Sequence, residues 1–599
     1  MRIRKSYQNK IWLACSILLS ILLISSVFST CAKSAVFSTK IVKPESVGLS
    51  SGKLNEIDTA LQADVDANKI SGAVLLVARD GKVAYFKSFD YRDNEKKLPM
   101  EKDSIFRIHS MTKSLTAVAI AMLKDEGKLK FEDPVEKYIP SFKDIQVGEI
   151  SKDQNGEDIV TMVKPTTVMT IQHLATHTSG LSYSFMAPPA IQKFYIQAGL
   201  NKPDGLTNEE VCDKLAKVPL VENPGTLWRY GMSYDVLGRV VEVVSGMPLD
   251  KFFEERIYKP LGMKDSGYLV TGENTSRLVY LDPEWPFYSD VTDPNKKNLS
   301  GGSGSVSTAV DWARFAQMLL NGGELDGKRL LKPETVTFIT SDLLGSLSNR
   351  SDALYTPGSG YSVGFDFCVR IDISNVDFPA NIGEFYKAGM AGTQYWVDPK
   401  EQLIAVFMVN TTNLTLPQYY RDLIQSKIYN AIIGIPEAPP ETPPTPGATT
   451  SFPSATYTND EYGFSIQYPK YWKERPEMMT SPYFVAMFGI PTSVPVVGVA
   501  VFDADAPVSE DWIIESTKKL GHKDPKVKSD IKEETLAGGI KAYTCQLGYI
   551  TATGYEAVGY FLMADKDGKR IRLGVVTVEG FSPYDEKLFS EIAHTLTFK

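Results

Sequence analysis

The chain has 599 residues, 43% of them hydrophobic and 23% charged, with a net charge of −8 at pH 7. These are ordinary values for globular protein, but the length exceeds what one hydrophobic core organises, so two folded units are expected. The acidic balance argues against a nucleic acid partner, which requires a basic face.

At the N-terminus, Arg2, Arg4, Lys5 and Lys10 precede an apolar run from Ile11 to Phe28, and small residues follow from Ser29 to Ala35. This is the layout of a secretory signal peptide. The run is also long enough for an uncleaved anchor. Cys31 offers a third mode, lipid attachment, although Phe28-Ser29-Thr30 fits that pattern poorly. Residues 1–35 are therefore read as a signal peptide or membrane anchor, and the protein as exported: periplasmic, cell-surface or secreted. Cys15 lies in the run, which leaves Cys212, Cys368 and Cys545, scattered and odd in number. They form neither a disulfide framework nor a zinc spacing and are expected to be buried free thiols.

From Ser51 to Ala67 the sequence is helix-like. Gly72–Ala78 and Lys82–Phe89 are strand-like, and Asp80-Gly81 between them signals a hairpin. Helical patterns dominate the middle. Thr393–Val397 and Leu403–Val409 then read as two further strands. Strands at both ends with helices between predict an α/β domain over residues 42–434, in which one antiparallel sheet unites N-terminal and C-terminal strands. Between Pro436 and Pro446 stand six prolines, an extended spacer, and residues 435–453 are read as a linker. Residues 454–599 carry strand-like runs at Pro495–Phe502, Ala542–Gly548, Gly554–Met563 and Ile571–Val578, with helical stretches near Ser509–Leu520 and Ser582–Thr595. This predicts a smaller α+β domain without a convincing cluster of catalytic side chains.

A serine hydroxyl becomes a nucleophile when a base takes its proton, and a lysine three residues later on a helix can reach it. The chain holds four Ser-x-x-Lys pairs: Ser50–Lys53, Ser110–Lys113, Ser516–Lys519 and Ser529–Lys532. Context separates them. Ser110 opens a stretch, to Leu123, that is apolar almost all round, so the helix is expected to be buried and Lys113 to lose its charge easily. The other three pairs stand in polar or charged surroundings and read as solvated surface. A helix cap with a snorkelling lysine is the bland alternative for Ser110–Lys113. Trp228-Arg-Tyr230-Gly-Met-Ser-Tyr-Asp-Val-Leu-Gly238 opens another helix-like stretch, and a tyrosine near lysines can serve as general base. Lys387-Ala-Gly389-Met390-Ala-Gly-Thr393 leads into a strand, where a glycine lets substrate approach backbone N–H groups able to hold an oxyanion.

Ser110–Lys113, Tyr230 and Lys387-Ala-Gly389 stand in the order and spacing of the serine β-lactamase-like family, which the chain resembles from about Pro44 to Ile432. That family includes class C β-lactamases, DD-carboxypeptidases and related carboxylesterases. Leu174-Ala-Thr-His-Thr-Ser-Gly-Leu181, Gly301-Gly-Ser-Gly-Ser-Val-Ser-Thr308 and Pro260-Leu-Gly-Met-Lys-Asp265 look like it too. The resemblance implies a β-lactamase/DD-peptidase-like fold and an acyl-enzyme on Ser110. Lys113 would be its proton acceptor or relay, and Tyr230 the general base that also serves the leaving group. The backbone N–H groups of Ser110 and Met390 would form the oxyanion hole. Lys387, with Gly389 and Met232, would face substrate, Lys387 supporting Tyr230 and a substrate carboxylate. No metal or organic cofactor is implied; the partner is a small ester, amide or peptide. One position departs: Met232 stands where the β-lactamases and peptidases usually carry asparagine. Methionine cannot donate the amide hydrogen bond, and Ser233 is the nearest stand-in. Met232 points to esters; Lys387 pulls back towards β-lactams, because the esterase branch often has tryptophan there.

Two other patterns compete. Gly360-Tyr-Ser362-Val-Gly364 matches a nucleophile elbow, but strand-like sequence follows it and no histidine suits. His173 and His177, four apart, lack the glutamate of a zinc motif, and His109 reads as packing. The 454–599 segment loosely resembles PsbP-like modules through its Tyr-Gly-Phe and Tyr-Pro-Lys-Tyr-Trp stretches. The expected function is hydrolysis of a carboxylic ester or small amide. β-Lactam or D-Ala-D-Ala cleavage is the alternative, and ligand binding without catalysis is the alternative of another class.

Overall fold

The structure, a computed structural model, describes residues 37–347, 360–373, 376, 378–414 and 416–434, then 454–469, 473–474, 483–489, 496–504, 506–520, 522–527, 529–536, 540–550, 556–578, 592 and 595–598. The N-terminal segment with Cys15 and Cys31, and the proline-rich linker, lie outside the described residues.

A hairpin starts the main sheet. Strands β1 (Gly72–Arg79) and β2 (Lys82–Asp93) meet at Asp80 and Gly81, whose φ angles are +52° and +72°. Positive φ at both central residues matches the right-handed twist of a two-residue hairpin, which is why Asp-Gly sits there. After β3 (Leu98–Pro99) the chain leaves the sheet and returns much later. It re-enters as β4 (Tyr361–Val363), β5 (Cys368–Arg370), β6 (Phe385–Ala388), β7 (Gln394–Asp398) and β8 (Leu403–Met408). The order is β4-β5-β6-β7-β8-β1-β2-β3. The expected union of both ends occurs at β1 and β8, antiparallel from Val74 opposite Met408 to Arg79 opposite Leu403.

The sheet has a core on each face. Along β1, Val74, Leu76 and Ala78 enter one core while Ala73, Leu75 and Val77 enter the other; in β8, Ile404, Val406 and Met408 alternate with Leu403, Ala405 and Phe407 in the same way. A strand buried on both faces needs a continuous apolar run, and both strands have one. Helices α1 (Ser51–Asp66) and α5 (Leu416–Asn430) cover one face. Helices α2 (Thr112–Asp125), α3 (Ser233–Ser245) and α4 (Ala309–Leu320) lie on the other.

Helix α2 is the pivot of the second core. Every residue from Thr112 to Leu123 is buried, as its nearly all-round apolar sequence predicts. Truncating Leu115, 0% exposed, to alanine costs about 2–5 kcal/mol. Ser110 does not open the α-helix. It sits in a 3₁₀ turn, His109–Met111, and α2 begins at Thr112.

In the C-terminal region, Glu556–Lys566 and Lys569–Val578 form a long hairpin in an eight-stranded antiparallel sheet. The four predicted strands are present. Phe484–Gly489, Lys523–Val527 and Lys532–Leu536 are additional. Lys523–Val527 and Lys532–Leu536 are short and charge-interrupted, which hides any alternation, whereas Phe484–Gly489 is an apolar run too short to stand out. Helix Glu510–Lys519 matches its prediction; most of 582–595 lies outside the described residues. Cys212, Cys368 and Cys545 are free and buried, as expected.

Candidate active site

Lys113 stands in the first turn of α2, so the fully apolar helix carries its amine into the core at 0% exposure. Its Nζ donates to Ser110 Oγ at 3.1 Å, to Tyr183 Oη at 3.0 Å and to the Gly302 carbonyl at 2.7 Å. Among the described residues all its hydrogen bonds thus go to two hydroxyls and a carbonyl. Burial pulls its pKa down to about 7, with Lys387 adding to the effect and Asp366 and Asp235 opposing it. Ser110 is half-buried, whereas its partner lysine is wholly buried. The helix-cap alternative is not what forms: the α2 N-cap is Met111, without a side-chain cap, and Ser110 Oγ takes the lysine instead.

Gly302 is small for a reason. A Cβ there would stand 2.9 Å from Asp235 Oδ2, 3.4 Å from Lys113 Nζ and 3.4 Å from Tyr183 Oη. Gly301 and Gly238 let their backbones touch, since a Cβ on Gly301 would lie 2.3 Å from the Tyr234 carbonyl and 2.9 Å from Gly238 Cα. The Gly301-Gly302 pair therefore seats this loop against α3 and turns a carbonyl onto Lys113.

Tyr230 precedes α3 and is 3% exposed. Lys113 Nζ lies 4.8 Å and Lys387 Nζ 4.9 Å from the centre of its ring. Gly231 lets this segment press on the neighbouring loop, because a Cβ there would meet the Leu181 carbonyl at 2.4 Å. Met232 is 2% exposed. Ser233, the expected stand-in donor, is spent on Ser179: the two hydroxyls share a 2.8 Å hydrogen bond, both fully buried.

Lys387, beside the Tyr230 ring as expected, also has a partner inside the protein. Its Nζ donates to Asp366 Oδ1 at 2.6 Å in a pair that is 3% and 2% exposed. Asp366 Oδ1 also lies 3.0 Å from His177 Nε2. Burial pushes the Asp366 carboxyl up, but Lys387 and His177 outweigh it and hold it below the usual range. Burial takes His177 down to about 4, so its neutral ring donates to the carboxylate. The charge expected to face a substrate carboxylate is thus already matched inside the protein.

After β6 the chain turns tightly: Gly389 N–H donates to the Thr393 carbonyl at 2.6 Å and Gly392 N–H to the Gly389 carbonyl at 3.0 Å. Thr393 Oγ1 donates to the Ile108 carbonyl at 3.3 Å, and a Cβ on Gly389 would lie 2.4 Å from that carbonyl. The half-buried Met390 is in this way held beside the segment leading to Ser110.

The competing patterns go elsewhere. Ser362 is buried on a strand and donates to Asp342, with no helix following. His173 Nδ1 accepts from Thr170 N–H in a capping box, while His177 serves Asp366, so the two rings do not converge. His109 packs edge-on against Trp285. Ser50 caps α1, Ser516 accepts from Arg572 and Ser529 accepts from Gln546 N–H. Tyr183, Asp366 and Asp235 were not singled out in the sequence. Tyr183 follows the Leu174–Leu181 stretch by two residues, the one local signal available. Asp366 stands in a run that reads as an alternating strand, and only its left-handed φ of +61° breaks it.

Comparison with known proteins places this geometry. The family model described as Beta-lactamase matches residues 57–426. Esterase EstB of Burkholderia gladioli is 28% identical over 59% of this chain and 90% of its own length. Lovastatin esterase of Penicillium rubens is 31% identical over 52% and 79%. The solved structure of EstCE1, a hydrolase with promiscuous acyltransferase activity, superposes with a TM-score of 0.53 at 25% identity, covering 64% of this chain and 99% of that one. The chain belongs to the beta-lactamase family and is a serine hydrolase of that fold.

Proposed function

We propose that the protein hydrolyses carboxylic esters or small amides through an acyl-enzyme on Ser110. The observation that carries this is Lys113, an amine wholly removed from water, 3.1 Å from the hydroxyl of a half-buried serine and with its pKa pulled down to about 7. Neutral Lys113 takes the proton as Ser110 Oγ adds to the substrate carbonyl. The backbone N–H groups of Ser110 and Met390 receive the oxyanion. On collapse the C–O bond to the alcohol breaks, and the proton returns to the departing alkoxide through Lys113 and Tyr230. Water then adds to the acyl carbon, giving its proton to the same base; the bond from the acyl carbon to Ser110 Oγ breaks, and the base returns the proton to Oγ. Lys387 places positive charge beside the Tyr230 ring. The named relatives with esterase activity support the same reading, as does Met232, which offers no amide donor.

The Lys387–Asp366 pair favours esters over β-lactams and D-Ala-D-Ala peptides, whose carboxylate would need a cation. Parallel assays with a p-nitrophenyl ester, a chromogenic cephalosporin and a D-Ala-D-Ala peptide are expected to give turnover on the ester. Ser110→Ala is expected to abolish it and Tyr230→Phe to lower it about 10²–10⁴-fold. Wild-type rates in Ser110→Ala would sink the mechanism. From the basic and apolar N-terminal segment we also propose export; finding the intact N-terminus in a cytoplasmic fraction contradicts it.

A further inference from the structure

The rim of the site carries a run of aromatic rings that the chemistry above does not use. Tyr183 stacks on Phe185 at 5.4 Å. Phe185 meets Phe287 edge-on at 5.0 Å, Phe287 meets Trp285 at 5.4 Å, and Trp285 meets His109 at 5.6 Å. The two ends of this run lie at the reacting groups. His109 adjoins Ser110 in the chain, and the Tyr183 hydroxyl is bonded to Lys113 at 3.0 Å. The arc thus joins the residue before Ser110 to the residue bonded to Lys113.

These rings differ from those of the core. Trp312, Trp396 and Tyr395 are 0% exposed, whereas Tyr183, Phe185, Trp285 and Phe287 are each half-buried. Large apolar rings left partly open beside a reactive serine are surface held ready for an apolar ligand.

The arc is also held in place. Arg107, three residues before Ser110 and 4% exposed, donates to the Ser289 carbonyl at 2.9 Å, the Val279 carbonyl at 3.2 Å and the Tyr288 hydroxyl at 3.0 Å. That fixes the loop bearing Trp285 and Phe287 to the segment that carries the nucleophile. Tyr288 N–H closes the turn on the Trp285 carbonyl at 2.8 Å. His109 has a left-handed φ of +43°, which turns its ring onto Trp285. Pre-set rings lose little entropy on binding.

We propose that Tyr183, Phe185, Trp285 and Phe287 form the wall of the substrate pocket, so that the preferred substrates are esters bearing a bulky apolar group, aryl or medium-chain, next to the scissile carbonyl. The inference rests on Ser110 being the nucleophile. Discrimination by such a pocket works through apolar contact, worth about 10–200-fold per methylene-sized step.

The experiment measures kcat/KM on two ester series. One varies the acyl group from acetyl to octanoyl and phenylacetyl on p-nitrophenol; the other varies the alcohol on a fixed acetyl. Wild-type enzyme is expected to prefer the bulky members of one series. Trp285→Ala and Phe287→Ala are expected to lower kcat/KM about tenfold or more on those members and less than about threefold on the smallest ester. Trp285→Phe should restore most of the loss, which separates pocket shape from a folding defect. Flat selectivity in the wild type, or an equal loss on large and small esters with a wild-type thermal midpoint, overturns the pocket. A wild-type enzyme inert on every ester refutes the esterase reading itself, a distinguishable result.

Discussion

The main sheet buries charge on both faces and does so in two ways. On the α1/α5 face, Arg370 and Glu384 pair at 2.8 Å with 2% and 0% of their side chains exposed. Tyr361 and Tyr429 add hydrogen bonds to the same carboxylate at 2.6 and 2.7 Å. On the opposite face Lys113 is as deeply buried, yet among the described residues it hydrogen-bonds hydroxyls and a carbonyl and touches no carboxylate. A buried ion with a matched partner stays ionised and holds structure. A buried amine without one gives up its proton near neutrality and becomes available for chemistry. Lys387 stands between the cases: it lies at the site but is paired with Asp366, so it supplies charge rather than a vacant ammonium.

Exchanging the two faces by mutation is the sharpest way to break this contrast. Lys113→Met removes the buried amine with its three hydrogen bonds and keeps the shape. Turnover should fall by about 10³-fold or more, while stability falls by only about 1–3 kcal/mol, the cost of leaving the buried Gly302 carbonyl without its donor. Glu384→Gln should do the reverse. It strands Arg370, costs about 3–5 kcal/mol in denaturant unfolding, and leaves kcat/KM of the folded fraction within about threefold. A larger loss of stability in the first variant than in the second, with the chemistry lost in the second, would reverse the assignment.

The pH profile follows from the same contrast. Lys113 acts as a base only when neutral, and its pKa lies at about 7. Activity should therefore rise with pH through about 7 and level off above it. A profile flat from pH 5 to 9 would contradict this.

Asp366→Asn tests the intermediate case. Freed of its carboxylate, Lys387 should bind substrates that carry a carboxylate about tenfold more tightly, the worth of one charge-assisted hydrogen bond. An unchanged KM for a penicillin-type substrate would show that the pairing does not set selectivity. The smallest effect is expected for Ser233→Ala, within about threefold in kcat/KM, because its hydroxyl serves Ser179; a larger loss would return Ser233 to the substrate.

Much of this was legible in the chain. The apolar run after Ser110 shows that Lys113 must be buried, and the Asp-Gly hairpin with the late strands shows a sheet joined from both ends. These are local signals of period and turn chemistry. What stayed hidden is pairing between distant residues. Nothing near Lys387 marks Asp366 as its partner, since that pairing depends on a left-handed Asp366 after a short strand. Nothing in the two rim loops shows that Phe185 and Phe287 touch. The start of α2 was displaced for a similar reason: a 3₁₀ turn has no sequence signature distinct from the first turn of an α-helix.

Covalent labelling tests the central claim most directly. The full chain, treated with a fluorophosphonate and digested, should show by mass spectrometry one phosphonyl adduct on the peptide containing Ser110, with loss of esterase activity in proportion. The adduct should be absent in Ser110→Ala. An adduct on another serine, Ser362 for example, or full inhibition without modification of Ser110, would contradict it.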